Sequence, residues 1–354
     1  VLRIADLKKL YDIPDERKVH THAIASLGGV GIFGGFILAS LLSIQGHTEF
    51  QYFFAAAVVI FFLGLKDDLV VLSASKKFIG QVLAASILIH LGGINLDSMY
   101  GIFGFEKLPD AFGLAMSYLT IIVIINSFNL IDGIDGLAAS LGITAMLVFG
   151  TYFFINGYQA YALLAYALTG SLVAFLIFNH HPAKIFMGDS GSMMIGLISS
   201  ILVIKFINVA HNPATTVPLD SAAAIGVSIL IVPLLDTLRV FSIRIFKGHS
   251  PFFPDKNHIH HLLLGWGLGH SAVTLICVSI NIGFIVLAYA GRSLGSTYLL
   301  MIMLGVAGAG LSILYYGRPK RTMFIAKRRN GATELKTTSK VVTLTQEVAT
   351  ADKS

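Results

Sequence analysis

Long apolar runs alternate with short polar connections along almost the whole chain. Runs that cross, or nearly cross, a bilayer needing about 20 helical residues fall at 24–44, 51–65, 78–94, 112–130, 138–156, 159–178, 191–209, 221–238, 271–290 and 296–316. Ten transmembrane helices are predicted, with 51–65 and 78–94 short enough to need help from their flanks. A backbone crossing lipid must satisfy its own hydrogen bonds, so the expected fold class is an all-α polytopic membrane protein. Composition agrees: of 354 residues, 55% are hydrophobic and 12% charged, against about 25% charged in an ordinary soluble domain. The single cysteine, Cys277, lies in an apolar run and excludes an internal disulfide. Residues 1–316 read as one integral membrane unit. Residues 317–354 read as a basic, then Thr/Ser-rich tail, expected to be mostly disordered with its basic half resting on anionic lipid. The chain begins at Val1 without a Met, so a preceding segment carrying an eleventh, N-terminal helix is expected.

Charge orients these spans. With residues 1–23 in the cytoplasm, the inside segments hold 22 of the 25 Lys and Arg residues, and the positive-inside rule places the C-terminus inside as well. The potential ligands divide the same way. Asp67, Asp68, Asp132, Asp135, Asp189, Asp255, His258, His260 and His261 all fall on inside loops or helix ends. An active site on the cytoplasmic face follows, served by soluble substrate and by lipid from the same leaflet. Of the ionisable residues in or near spans, Asp236 is the functional candidate, while His90 and Lys205 are expected to snorkel or be satisfied locally.

Four stretches carry candidate chemistry. Asp67 and Asp68 close the second run, ahead of Lys76, Lys77 and Gln81; adjacent carboxylates repel unless a cation compensates, and either could act as a base or a metal ligand. In the Asn126–Gly136 stretch, Asn126, Asn129, Asp132 and Asp135 are spaced by three. On a continuing helix they would form one polar stripe, although Gly133 and Gly136 are expected to end or loosen it. Capping would account for Asp135 alone. Oxygen-rich side chains on a glycine-bent turn suit a hard cation such as Mg²⁺ and, through it, a phosphate. Phe186-Met187-Gly188-Asp189-Ser190-Gly191-Ser192 opens the next long run, where free backbone N–H groups favour an anion and Asp189 would set a metal beside it. The longest inside loop carries Arg244, two prolines, Asp255, His258, His260 and His261. That surface suits sugar hydroxyls and phosphates, and its spacing matches no structural zinc pattern.

Together these motifs resemble the polyprenyl-phosphate N-acetylhexosamine-1-phosphate transferase family, which starts bacterial surface-polymer synthesis on a lipid carrier. Four signatures stand in the family's order: Asp67-Asp68 with Lys77 and Gln81, Asn126-x-x-Asn129-x-x-Asp132-Gly-x-Asp135-Gly-Leu, Phe-Met-Gly-Asp189-Ser-Gly-Ser, and Ser-Pro-Phe-x-Pro-Asp255-x-x-His258-Ile-His260-His261. The last looks like the GlcNAc-1-phosphate branch. Two departures stand out: the helix usually found before Arg17-Lys18-x-His20 is not in this sequence, and Ala25-Ser26 occupies the place of Pro-Arg or Pro-Leu before Gly28-Gly29.

The resemblance implies transfer of GlcNAc-1-phosphate from UDP-GlcNAc to undecaprenyl phosphate in the bacterial inner membrane, releasing UMP. Such a reaction needs charge neutralisation around a pyrophosphate and a positioned nucleophile. Asp189 and Asn129 are then expected to hold Mg²⁺, with Mn²⁺ as a substitute. Asp67, supported by Asp68, orients or deprotonates the lipid phosphate, and Lys77 offsets phosphate charge. Asp132 and Asp135 join the catalytic set by binding the nucleotide, Asp135 nearer the uridine. Asn126, Arg244, His258, His260 and His261 complete the substrate site. Direct attack is favoured over a phospho-aspartyl intermediate on Asp67. Membrane lipid and, by resemblance, a second copy of the chain are the expected partners, with no nucleic acid. A secondary transporter of a metal ion or organophosphate is the rival reading; it predicts mid-span charges and a repeat between halves, and neither is visible.

Overall fold

The computed structural model describes residues 24–248 and 258–317, with the backbone of short strands outside them. Its helices are α1 (Gly28–Ser43), α2 (Glu49–Leu69), α3 (Ala74–Ser86), α4 (Asp110–Ile131), α5 (Leu137–Ile155), α6 (Gln159–Asn179), α7 (Gly188–His211), α8 (Ala222–Ile229), α9 (Ile231–Phe246), α11 (His270–Ala290) and α12 (Ser296–Tyr316), with the short α10 (Ile259–Gly265) between α9 and α11. β1 (Tyr11–Asp12) pairs antiparallel with β2 (Ile24–Ala25), and β3 (Met323–Arg329) with β4 (Ala332–Thr338). The rest of the tail, the Arg17–His22 segment and the loop carrying Asp255 lie outside the described residues.

Every apolar run became helical, yet only six described helices, α4, α5, α6, α7, α11 and α12, are long and apolar enough to span alone. With the one bent pair counted as a span the number is seven among the described residues. The chain is a multi-pass membrane protein, and the remaining runs fall short for separate reasons. α1 has 16 residues. α2 reaches 21 residues by absorbing Glu49 and the Lys66-Asp67-Asp68 group, and α3 continues into one π-helical turn at Ile87–Leu91. The run 221–238 is broken: α8 and α9 meet at 81° and pass the length test only as a bent pair. Pro233 lies in the first turn of α9, where proline is tolerated because that N–H has no intrahelical partner. Backbone groups freed inside a membrane must find other partners. The buried Asn281 of α11 supplies them, donating to the Ile229 carbonyl at 3.0 Å and accepting from the Val232 N–H at 3.3 Å.

α7 is the axis, 89% buried along its apolar stretch, whereas α12 at the periphery is 17% buried. α1, α2, α4, α5 and α8 pack on α7. The approach of α2 is limited by backbone: a Cβ on Gly64 would lie 2.5 Å from Cα of Ser190. Small residues at such crossings let membrane helices touch without the aid of a hydrophobic effect. Away from this end, Lys205 is covered by Tyr158 and Tyr161, at 5.6 and 4.8 Å from their ring centroids, and His90 contacts the Tyr118 hydroxyl at 3.1 Å. Both are satisfied locally, as expected.

Candidate active site

The polar ends of α2, α3, α4, α7, α9, α10 and α11 gather at one end of the bundle around two adjoining cavities. The first, about 470 Å³, is lined by Asp67, Asp68, Asp132, Asp135 and Asp189, together with Asn129, His261 and His270. The second, about 390 Å³, is lined by Lys77, Gln81, Asn126, Asn129, Arg244 and His258. Asn129 borders both.

At their junction Lys77 bridges two carboxylates, its Nζ lying 2.5 Å from Asp67 Oδ2 and 2.6 Å from Asp189 Oδ2. Asn129 Nδ2 donates to Asp189 Oδ1 at 2.9 Å and to Ser192 Oγ at 3.1 Å. Asp67 Oδ1 accepts the Leu72 N–H at 2.6 Å, so both of its oxygens are engaged. Asp68 faces another way: it accepts the N–H groups of Asp189 (2.7 Å) and Ser190 (3.2 Å) and the Ser190 hydroxyl (2.6 Å). These are free donors of the first turn of α7, where a carboxylate also meets the positive end of the helix dipole. Asp68 therefore clasps α2 to the start of α7 and fixes Asp189. Gly188 (φ +71°) is required there, because a Cβ would lie 2.6 Å from the Asp68 carboxylate.

The stripe expected from the spacing of three splits up. Asn126, on α4, exchanges amide hydrogen bonds with Gln81, 2.8 Å from Asn126 Nδ2 to Gln81 Oε1. α4 ends at Ile131, and Asp132 (φ −75°, ψ 58°) turns the chain, with the Gly133 N–H bonded to the Ile131 carbonyl at 2.8 Å: an inverse γ-turn. This turn sends Asp132 and Asp135 into the first cavity. Asp135 Oδ2 lies 2.6 Å from His181 Nδ1 and 3.3 Å from His270 Nδ1. Burial alone would raise its pKa, but the two imidazoles bring it down to about 2. Asp132 accepts no hydrogen bond from the described residues. Burial, then the charges of Asp189, Asp68 and Asp135, push its pKa up to about 8.

The histidine cluster is also divided. His258 Nδ1 pairs with the fully buried Asp236 at 2.7 Å, and Asp236 accepts the Ile259 N–H at 2.6 Å. That identifies the function of Asp236: it seats the start of α10. His258 faces the second cavity beside the 3% exposed Arg244, and His261 faces the first. His260 is not among the described lining residues of either cavity. It is 2% exposed, lies against Gly133 and stacks on His258. Burial, with His261 and His258 adjacent, holds its pKa well below the usual imidazole value; it is a neutral spacer between the α4–α5 turn and α10. His181 and His270 were missed as site residues because each is a lone residue far in sequence from its partner Asp135. The one signal was the polar His180-His181-Pro182 step just ahead of the Asp189 motif.

The donor set fits a hard divalent cation. The first cavity has five carboxylates and no lysine or arginine among its described lining residues. Asp132 is unpartnered, and the Asn129 amide oxygen accepts no hydrogen bond from the described residues. A raised Asp132 also sets a pH dependence. The folded chain holds a proton that an unfolded aspartate releases near its ordinary 3.8, so this contribution to stability declines as pH rises through about 8. A cation offsets the exposed charge. The rise in unfolding temperature on adding Mg²⁺ is therefore expected to be larger at about pH 9 than at about pH 6; equal shifts at both would contradict it.

Comparison with known proteins adds to this geometry. The family model described as glycosyl transferase family 4 matches residues 50–207, from α2 almost to the end of α7. A probable undecaprenyl-phosphate N-acetylglucosaminyl 1-phosphate transferase of Bacillus subtilis is 35% identical over 299 residues, covering 83% of this chain and 80% of that protein. A decaprenyl-phosphate N-acetylglucosaminephosphotransferase of Mycobacterium tuberculosis is 36% identical over 287 residues, 74% of this chain and 71% of the other. An undecaprenyl-phosphate alpha-N-acetylglucosaminyl 1-phosphate transferase of Yersinia pestis is 30% identical over 263 residues, 73% and 70%. The chain belongs to glycosyl transferase family 4, among its polyprenyl-phosphate N-acetylhexosamine-1-phosphate transferases.

Proposed function

We propose that this chain transfers GlcNAc-1-phosphate from UDP-GlcNAc to undecaprenyl phosphate at the cytoplasmic face of the bacterial inner membrane, starting a cell-surface polysaccharide. The observation that carries the reading is the junction where Lys77 bridges Asp67 and Asp189 beside Asn129, between an acidic cavity and a cationic one. An oxygen of the lipid phosphate attacks the sugar-bearing phosphorus of the donor. The bond from that phosphorus to the bridging oxygen breaks, and UMP leaves with the electron pair.

Asp189 and Asn129 are the residues that would hold Mg²⁺, or Mn²⁺ in its place, which when bound neutralises charge on the donor pyrophosphate. Lys77 directs its ammonium at the phosphates from the junction, and Asp67 fixes that ammonium. Since a phosphate monoester is already largely ionised at neutral pH, Asp67 has a positioning task. With both oxygens engaged by Lys77 and the Leu72 N–H, it is poorly placed as a nucleophile, which supports direct attack. Arg244 and His258 add positive charge from the second cavity, and the Gln81–Asn126 amides offer hydrogen bonds to sugar hydroxyls. Asp132, Asp135 and His261 face the nucleotide and its phosphates.

The test is UMP release by the purified protein given UDP-GlcNAc, undecaprenyl phosphate and Mg²⁺. UMP is expected only with all three present. Release from a different UDP-sugar alone would overturn the donor. UMP exchange into UDP-GlcNAc without lipid would overturn direct attack, and no turnover of any donor by folded protein would return the transporter reading.

A further inference from the structure

Asp135, His181 and His270 come from three separate elements: the α4–α5 turn, the α6–α7 connection and the first residue of α11. One ligand atom from each lies within 4.8 Å of the other two. Two imidazoles and one carboxylate form the donor set of a transition-metal site with free positions, and Asp135 and His270 border the first cavity. Around an ion with bonds of about 2.1 Å, tetrahedral ligand atoms sit roughly 3.4 Å apart. The 3.3 Å between Asp135 Oδ2 and His270 Nδ1 already meets that spacing. His181, at 2.6 Å, has to withdraw by less than about 1 Å, and its side chain is 46% exposed and able to do so.

A second observation points the same way. His270 Nδ1 is buried and makes no well-formed hydrogen bond with any described residue, although it is directed at Asp135. A buried ring nitrogen whose one neighbouring acceptor, the Asp135 carboxylate 3.3 Å away, is poorly aligned is costly, and a metal bond would satisfy it. Asp135 is itself held from behind, its backbone carbonyl accepting the Thr274 hydroxyl of α11 at 3.1 Å. The carboxylate and the His270 ring are thus pinned to one another.

We infer that Asp135, His181 and His270 form a second metal site, selective for a divalent ion of zinc-like chemistry and separate from the oxygen-donor site at Asp189 and Asn129. Imidazole nitrogen favours zinc, cobalt and nickel, whereas carboxylate and carbonyl oxygen favour magnesium, so the two sites in one cavity discriminate by ligand type. An ion held here engages the carboxylate proposed to face the nucleotide, and competes with the donor for it.

The probe is Co²⁺ alone, titrated into the full-length protein, free of added tag histidines, in excess Mg²⁺. One equivalent is expected to give the strong visible bands of four- or five-coordinate cobalt with nitrogen ligands, and Zn²⁺ should bleach them. His181→Ala and His270→Ala should each weaken binding by more than the roughly 10–100-fold that loss of an outer-shell partner costs, while Asp189→Asn keeps the spectrum. Absence of bound Co²⁺, its displacement by Mg²⁺, or an unchanged spectrum in both histidine variants would overturn the site. The titration does not pass through transferase activity, so its failure and that of the proposed reaction are told apart.

Discussion

Asp189→Asn is expected to lower the rate of UMP release by roughly 10³-fold, about 4 kcal/mol of transition-state stabilisation. The substitution changes almost no volume and keeps an amide where the carboxylate stood. Contacts that build the site survive, because Asp68 binds the main-chain N–H of residue 189 and not its side chain. What is lost is the charge facing Lys77 at 2.6 Å and Asn129 at 2.9 Å. Lys77 is then left with Asp67 alone, and the oxygen donors proposed for Mg²⁺ lose their central member. The loss should persist at saturating Mg²⁺, because the field at the transferred phosphate is wrong even when an ion binds. Steady-state kinetics across Mg²⁺ concentrations check this. A variant within tenfold of the parent would remove Asp189 from the chemistry.

The second large effect is structural. Gly64→Val should lower both thermal stability and activity, since its Cβ would lie 2.5 Å from Cα and N of Ser190 and 2.7 Å from the Asp189 carbonyl carbon. These are backbone atoms and cannot rotate away. α2 and α7 must separate, against an overpacking cost of about 1–3 kcal/mol. The separation pulls Asp67 and Asp68 away from Asp189, and a displacement of about 1 Å near the reacting groups can cost 10²-fold in rate. Gly34→Val on α1 is the control. A Cβ there meets nothing within 4 Å, so it carries the same change in helix propensity without the clash. Differential scanning fluorimetry and UMP release together distinguish the two. If Gly64→Val and Gly34→Val behaved alike, the tight α2–α7 crossing would not be what sets the site.

Much of this was legible in the sequence because membrane helices announce themselves by apolar length. Asp67, Asp132 and Asp189 were legible because carboxylates at the ends of apolar runs have few structural reasons to be there. The rest depended on contacts between distant segments. The bend between α8 and α9 is stabilised by Asn281, a lone amide in the apolar run of α11, and only Pro233 hinted at it. Asp68 resembled Asp67 in sequence, yet the two differ by which side of α2 they leave: one meets Lys77, the other the start of α7. The three neighbouring histidines looked equivalent until the turn of α10 buried His260 and pointed His258 and His261 at different cavities. Spacing told which residues were polar and at which end, but not which neighbour each would meet.

The most direct test follows the β-phosphate of the donor. UDP-GlcNAc labelled with ³²P at that position is incubated with the protein, Mg²⁺ and undecaprenyl phosphate, and the organic and aqueous phases are separated. Transfer of GlcNAc-1-phosphate moves the label into the lipid phase and releases unlabelled UMP. Label remaining in water as UDP, with the sugar alone on the lipid, would contradict the account.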